Sequence, residues 1–326
     1  MRRFPRRTAL AAGTLVLAVL ATVGVRFTAD ASTAAAPAAF SHPGVLVSRA
    51  QLDFVKGRVA AGAQPWLAAY DQMRASRYAS LTRTPKPRAT VECGSYSNPN
   101  NGCTDEREDA IAAYTDALTW YITGDAAYAK KSIELMDAWS ATIRNHTNSN
   151  APLQTAWAGS VWPRAAEIIK HAYGTWPNQA RFATMLRDVY LPVVIPGIHS
   201  NGNWELSMME AATGISVFLD DRSSYDRAIA RFKLRAASYI YIAADGAQPK
   251  YPPAGGIDTR AELISYWQGQ ARSSTGCPRR PAATSPTPAT ASPPSRTSPR
   301  PPASRVATST PNCRTGCGTR SGSTRN

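Results

Sequence analysis

The sequence predicts an all-α protein, an incomplete (α/α) toroid of antiparallel helical hairpins followed by a disordered tail. Apolar residues recur at helical spacing through the middle of the chain, capping and turn residues cut that pattern into segments, and alternating β patterns are scarce. Ser48 and Gln51 have capping-box spacing, and Leu52, Val55, Val59 and Ala60 then share a face. Thr104 precedes Asp105, Glu106, Glu108 and Asp109, which read as negative charge on a helix N-terminus, with Ile111, Tyr114, Leu118 and Tyr121 following at helical spacing. Gly124-Asp125 makes a turn, and the next helix carries Ala129, Ile133, Met136, Trp139 and Ile143. Further helical stretches fit 162–173, 179–190, 203–219 and 225–244. Connections this short join antiparallel neighbours, and hairpins repeated in this way stack into a curved or closed array.

The formal charge of +15 lies mostly outside this pattern. Residues 1–26 carry +5 and residues 271–326 carry +9, with no acid in either, whereas residues 27–270 hold 23 basic against 22 acidic residues. The part that can fold is nearly neutral, which argues against nucleic acid as a partner. Arg2, Arg3, Arg6 and Arg7 precede an apolar run from Ala9 to Val25, and Ala29-Asp30-Ala31 has the small-x-small pattern of a signal peptidase site. Residues 1–31 are expected to be a cleaved signal, with Arg6-Arg7-Thr8-Ala9-Leu10 similar to a twin-arginine motif, and residues 32–41 a linker. An uncleaved anchor is the alternative; Gly13, Thr14 and Thr22 dilute the run. Export places the protein in a secreted or periplasmic compartment, with no membrane contact once the signal is removed. There Cys93 and Cys103, flanking a Ser/Asn/Pro/Gly loop, are expected to pair, which stabilises by about 2–3 kcal/mol in the chain-entropy model.

Four stretches carry a resemblance: His42-Pro43-Gly44-Val45-Leu46, Leu153-Gln154-Thr155-Ala156-Trp157-Ala158-Gly159, Asn201-Gly202-Asn203-Trp204-Glu205-Leu206 and Arg260-Ala261-Glu262-Leu263-Ile264-Ser265-Tyr266-Trp267. Their order and spacing resemble the alginate lyase-like polysaccharide lyases over residues 42–270. The resemblance implies an (α/α) toroid with a groove for acidic polysaccharide and eliminative cleavage beside a uronic acid. Elimination removes the proton on C5 and expels the oxygen on C4. The neighbouring carboxylate must be neutralised, by an amide or an Arg, and a Tyr or His must take the proton. No metal or other cofactor is needed by this scheme. Asn203, after Gly202 at a helix start, is the expected neutraliser, with a plain N-cap as its alternative role. Related lyases often place a His directly after this Asn; here it is Trp204, and His199 on the preceding loop is the candidate base. Gln154, Trp157 and Trp162 match family positions that line the groove, Trp204 stands beside the Asn, Tyr251 lies in a Pro/Gly-rich rim loop, and Arg260 is a candidate for a substrate carboxylate or for a salt bridge to Asp258 or Glu262. His146 and His171 have no neighbour in sequence that singles them out.

After Gln270 the composition breaks: residues 271–326 hold ten Pro and nine Arg, no aromatic, no Leu and no Ile. Such a segment buries no core and is expected to be disordered. It is read either as a basic Pro/Ser/Thr-rich tail or as translation in a shifted frame. Relatives continue here with a run like Gln-Glu-Thr-x-Arg-Asp-x-x-His-Thr-x-Tyr-Gly. Permitted codons for Cys277 to Pro294, read from the third base, encode Ser-Gln-Glu-Thr-Cys-Arg-Asp-Phe-Ser-His-Thr-Gly-Tyr-Gly-Ile-Ala-Ser. On that reading the toroid is truncated, an apolar edge is exposed, and activity is low or absent. Two other functions stay open: a glycoside hydrolase on a similar toroid, for which Glu205 and Glu210 are the nearest carboxylate pair, and a non-catalytic protein binding acidic polysaccharide. The preferred uronic acid, endo or exo action and oligomeric state have no signal in the sequence.

Overall fold

The computed structural model describes residues 39–199, 202–253 and 256–270. The expected signal, most of the linker and the whole basic tail lie outside the described residues. The first helix, α1 (Arg49–Ala60), starts at the expected capping box: Gln51 N donates to Ser48 Oγ and Ser48 N donates to Gln51 Oε1. Helix α2 (Trp66–Arg74) follows, and then a small sheet of β1 (Thr90–Cys93), β2 (Asn100–Asn101) and β3 (Asn145–Thr147) in the order β2-β1-β3. β1 pairs antiparallel with β2 and parallel with β3.

The body is a set of hairpins. Helix α3 (Cys103–Thr123) ends on Gly124, whose left-handed backbone (φ 79°) turns the chain into α4 (Ala126–Thr142), capped by Asp125. A Cβ at that φ is strained, which is why the turn takes glycine. Helix α5 (Ala151–Ile168) continues through a π turn at Ile169–Tyr173. Helix α6 (Gln179–Met185) passes through a second π turn, Leu186–Tyr190, into α7 (Leu191–Val194). Helices α8 (Gly202–Phe218) and α9 (Arg222–Tyr239) form the last long pair, and α10 (Arg260–Tyr266) closes the described chain. The helices pack in two layers: α3, α5 and α8 lie side by side, while α4 backs α3 and also meets α6, and α9 backs α8. This is the all-α, (α/α)-toroid arrangement expected from the sequence.

Small residues let the inner row approach closely. Ala110, Ala113 and Ala117 of α3, Ala158 and Ala165 of α5, and Ala211 and Ala212 of α8 are all buried. At Gly159 an added Cβ would stand 3.2 Å from the Tyr190 ring. Trp139, Trp162, Phe182 and Phe218 fill the space between the layers with tilted and edge-on rings. A separate small cluster of Tyr241, Leu263, Tyr266 and Trp267 packs beside the end of α9.

Candidate active-site cleft

An open cleft of about 990 Å³ runs over one end of α3, α5 and α8. Arg107 of α3, Trp157 and Ser160 of α5 and Trp204 of α8 line it, with Tyr96 on the far wall. That wall is the loop between Cys93 and Cys103, which are joined as a disulfide, so the expected pairing also holds a wall of the cleft. Tyr96 stands 87% exposed, on left-handed backbone (φ 55°). None of the described residues lining the cleft is acidic.

The cation of the cleft is built with care. The Arg107 guanidinium lies 5.2 Å from the centre of the half-exposed Trp157 ring. Its Nη1 donates to Gln154 Oε1 at 2.5 Å, and Nη2 reaches Thr104 Oγ1 at 3.4 Å. Partial burial lowers its pKa from the ordinary guanidinium value, against the pull of Glu106 and Glu108. Gln154 is itself fixed from below: its Nε2 donates to Glu106 Oε2 at 2.6 Å and to the Cys103 carbonyl at 3.0 Å. The other Glu106 oxygen accepts from Tyr190 Oη at 2.5 Å and lies 2.8 Å from His146 Nε2. Trp162 Nε1 donates to Tyr190 Oη at 3.1 Å. Glu106, Gln154, Trp162 and Tyr190 are all fully buried, so a polar chain runs from the core up to Arg107. Burial and the Glu106 carboxylate hold the Tyr190 phenol well above its ordinary range, so it stays protonated and donates.

Two expected groove residues are corrected by this arrangement. Gln154 is buried beneath the cleft, where it orients Arg107 instead of touching sugar. Trp162 is a core residue, packed against Trp139 and Phe182. It follows Trp157 by five residues, which on a helix is a rotation of about 140°, so the two cannot face one groove. Trp157 and Trp204 do line the cleft. Asn203 is exposed in the first turn of α8, one residue before Trp204. His199 is exposed, and its carbonyl accepts from Arg235. Tyr251 and Arg260 meet through Gln248, which donates to Tyr251 Oη at 3.1 Å and accepts from Arg260 Nη1 at 3.3 Å; neither is among the cleft's lining residues. Arg260 makes neither expected salt bridge among the described contacts, because Glu262 turns back to cap α10, accepting from Thr259 N at 2.9 Å and Asp258 N at 3.0 Å.

The acidic run at the start of α3 is more than helix-terminal charge. Glu106 and Asp109 are fully buried, and Asp109 accepts from Arg83 Nε (2.7 Å), Lys86 N (2.9 Å) and Trp139 Nε1 (2.7 Å). Arg107 and the wall loop were not singled out by sequence reasoning. A Tyr set among Ser, Asn and Gly, and a lone Arg inside an acidic run, were the available signals. The carboxylates weighed for hydrolysis are engaged elsewhere: Glu205 is buried against Arg231 and Arg235, and Glu210 pairs with Arg164 at 2.5 Å beside a second, more apolar groove.

A two-layered helical array carrying a cleft lined by aromatics, a cation and no acid is the layout of a helical-toroid polysaccharide lyase. The sequence model of the family described as alginate lyase matches residues 64–251, and the chain belongs to that family. In comparisons with curated proteins and with solved structures, nothing matches the chain. Among the described residues, no helix is long and apolar enough to cross a membrane.

Proposed function

We propose that this chain is an exported lyase that cleaves alginate or a related polyuronate by β-elimination in the cleft over α3, α5 and α8. The observation that carries the reading is the pairing of a held, partly buried Arg107 with Trp157 in a cleft whose described lining has no carboxylate. A guanidinium fits a uronate carboxylate in bidentate fashion, and aromatic faces stack on the apolar faces of sugars. A hydrolase needs two carboxylates across the scissile bond, and Glu205 and Glu210 are both tied up in ion pairs.

Arg107 holds the carboxylate of one sugar, and Trp157, Trp204 and Tyr96 carry the chain of rings. Asn203, beside Trp204, neutralises the carboxylate next to the reacting carbon. A base takes the C5 proton, the electron pair forms the C4–C5 double bond, and the C4–O bond breaks, with a proton returned to the leaving oxygen. His199 is the base candidate in the chain as written; the shifted reading of residues 277–294 would add an Arg, a His and a Tyr. We therefore expect weak activity as written and strong activity once that frame is restored.

The test is ultraviolet absorbance of unsaturated product on a polyuronate panel, for both versions. Arg107→Ala should raise KM at least about tenfold, as loss of a charge-assisted contact implies. Saturated products would overturn the lyase reading. Equal activity in the written chain and in one lacking residues 271–326 would overturn the frame reading alone. Sequencing the N-terminus of exported protein, expected after Ala31, tests the signal.

A further inference from the structure

We propose that His42, Glu167 and His171 form a binding site for a single divalent transition-metal ion, with zinc as the ion their chemistry fits best. Their ligand atoms lie within 4.8 Å of one another, although His42 is 125 residues from Glu167 in sequence. Glu167 and His171 are one helical turn apart, at the point where α5 passes into its first π turn. The His42 and His171 rings stack at 4.1 Å with an interplanar angle of 9°.

Hydrogen bonding explains only half of the cluster. Glu167 Oε2 accepts from Gly44 N at 2.8 Å and lies 2.8 Å from His42 Nδ1. Glu167 Oε1 and His171 Nε2 are both buried and without a hydrogen-bond partner, although they face each other at 3.5 Å. Glu167 is 1% exposed, so its unbonded oxygen is an unsatisfied acceptor in the core. Two ligands about 2.0–2.1 Å from a tetrahedral ion stand about 3.3 Å apart, close to the separation already present. Two imidazoles and one carboxylate are a zinc set that leaves a fourth position for water.

The outer contacts suit that role. His42 Nε2 lies 2.9 Å from Asp220 Oδ1, the carboxylate partner that a metal-bound imidazole ordinarily has on its other nitrogen. Asp220 also lies 3.7 Å from Lys170 Nζ, and the His171 carbonyl accepts from Arg49 at 2.7 Å. In this arrangement the ion replaces the proton shared by His42 Nδ1 and Glu167, while Nε2–H continues to donate to Asp220. The ion then ties the segment before α1 to the end of α5 and the end of α8. None of these residues lines the cleft, so the site is independent of the lyase reading.

The experiment uses the full chain, stripped with a chelator, dialysed and titrated with zinc chloride by calorimetry in buffers of different ionisation heat, with metal content measured afterwards. One zinc per chain and net proton release are expected. His171→Ala should weaken binding by about 100-fold and Asp220→Asn, which removes no ligand, by about tenfold. Cobalt should give a visible absorption band in the unsubstituted chain, which answers the question even where a variant fails to fold. No zinc binding, no cobalt band, or an affinity that neither substitution changes would overturn the site.

Discussion

The two ends of α3 treat buried carboxylates in opposite ways. In its first half, Glu106 and Asp109 are fully buried and saturated, each meeting three groups through hydrogen-bond contacts. In its second half, Asp116 is as fully buried, yet neither of its oxygens has a hydrogen-bond partner. Burial pushes the Asp116 carboxyl up to about 8, against the pull of Lys131 and Arg83. One helix thus disposes of buried acid twice: by donors where it supports the cleft, and by a proton where it does not. The lesson is that burial alone does not fix the state of a carboxyl; the donors around it do.

The sharpest way to break this contrast is Glu106→Ala. It strands Tyr190 Oη and Gln154 Nε2 and should cost about 3–5 kcal/mol, read from urea unfolding. A loss below about 1 kcal/mol would mean the network is decoration. Asp116→Asn tests the other end. The folded chain holds that proton more tightly than the unfolded chain, so stability should fall as pH rises from about 4 to about 8. The variant should remove that fall and melt several degrees higher than the parent at pH 8 (about 2–4 °C per kcal/mol), with little difference at pH 4. Thermal melts across pH decide it, and an unchanged pH slope counts against the buried proton. Next in size is Trp139→Phe, which takes one donor from Asp109 and should cost about 1–3 kcal/mol beyond the smaller ring. Trp267→Phe is its partner experiment: the Trp267 indole N–H is buried without a hydrogen-bond partner, so that extra loss should be missing. The smallest effect belongs to Asp226→Ala, which removes an exposed i,i+4 pair with Arg222 and should change stability by no more than about 0.5 kcal/mol.

The helices were largely legible in the sequence because their signals are local. The Ser48 box, the Gly124-Asp125 turn and the stretch 179–190 all fall where spacing and capping put them. The start of α5 was read late, at Trp162 instead of Ala151, because Gln154 and Thr155 dilute its first turns. The sheet was not foreseen: its strands are two to four residues long, and β1 meets β3 across the whole of α3 and α4. His146 sits on β3, so its meeting with Glu106 had no local signal. One signal was present and misread. Glu106, Asp109, Ala113 and Asp116 recur at helical spacing along the buried alanine stripe, which marks the acids as inward-facing and not as helix-end charge. At the cleft, Trp157 and Trp204 were legible through resemblance, whereas Arg107 depends on Gln154 and Glu106 meeting in space.

The two π turns have a consequence for how this chain tolerates change in its gene. A π turn is an α-helix that has kept one inserted residue, closing its hydrogen bond over five residues where the α-helix uses four. Tyr190 ends one such turn and His171 lies within the other. Losing one codon between Leu186 and Val189 would leave the reading frame and the helix intact, but would rotate Tyr190 by about 100° away from Glu106. The same loss in the first π turn would swing His171 off Glu167. Single-residue length therefore acts here as a register key: at these two positions the number of residues, more than their identity, decides which polar groups meet.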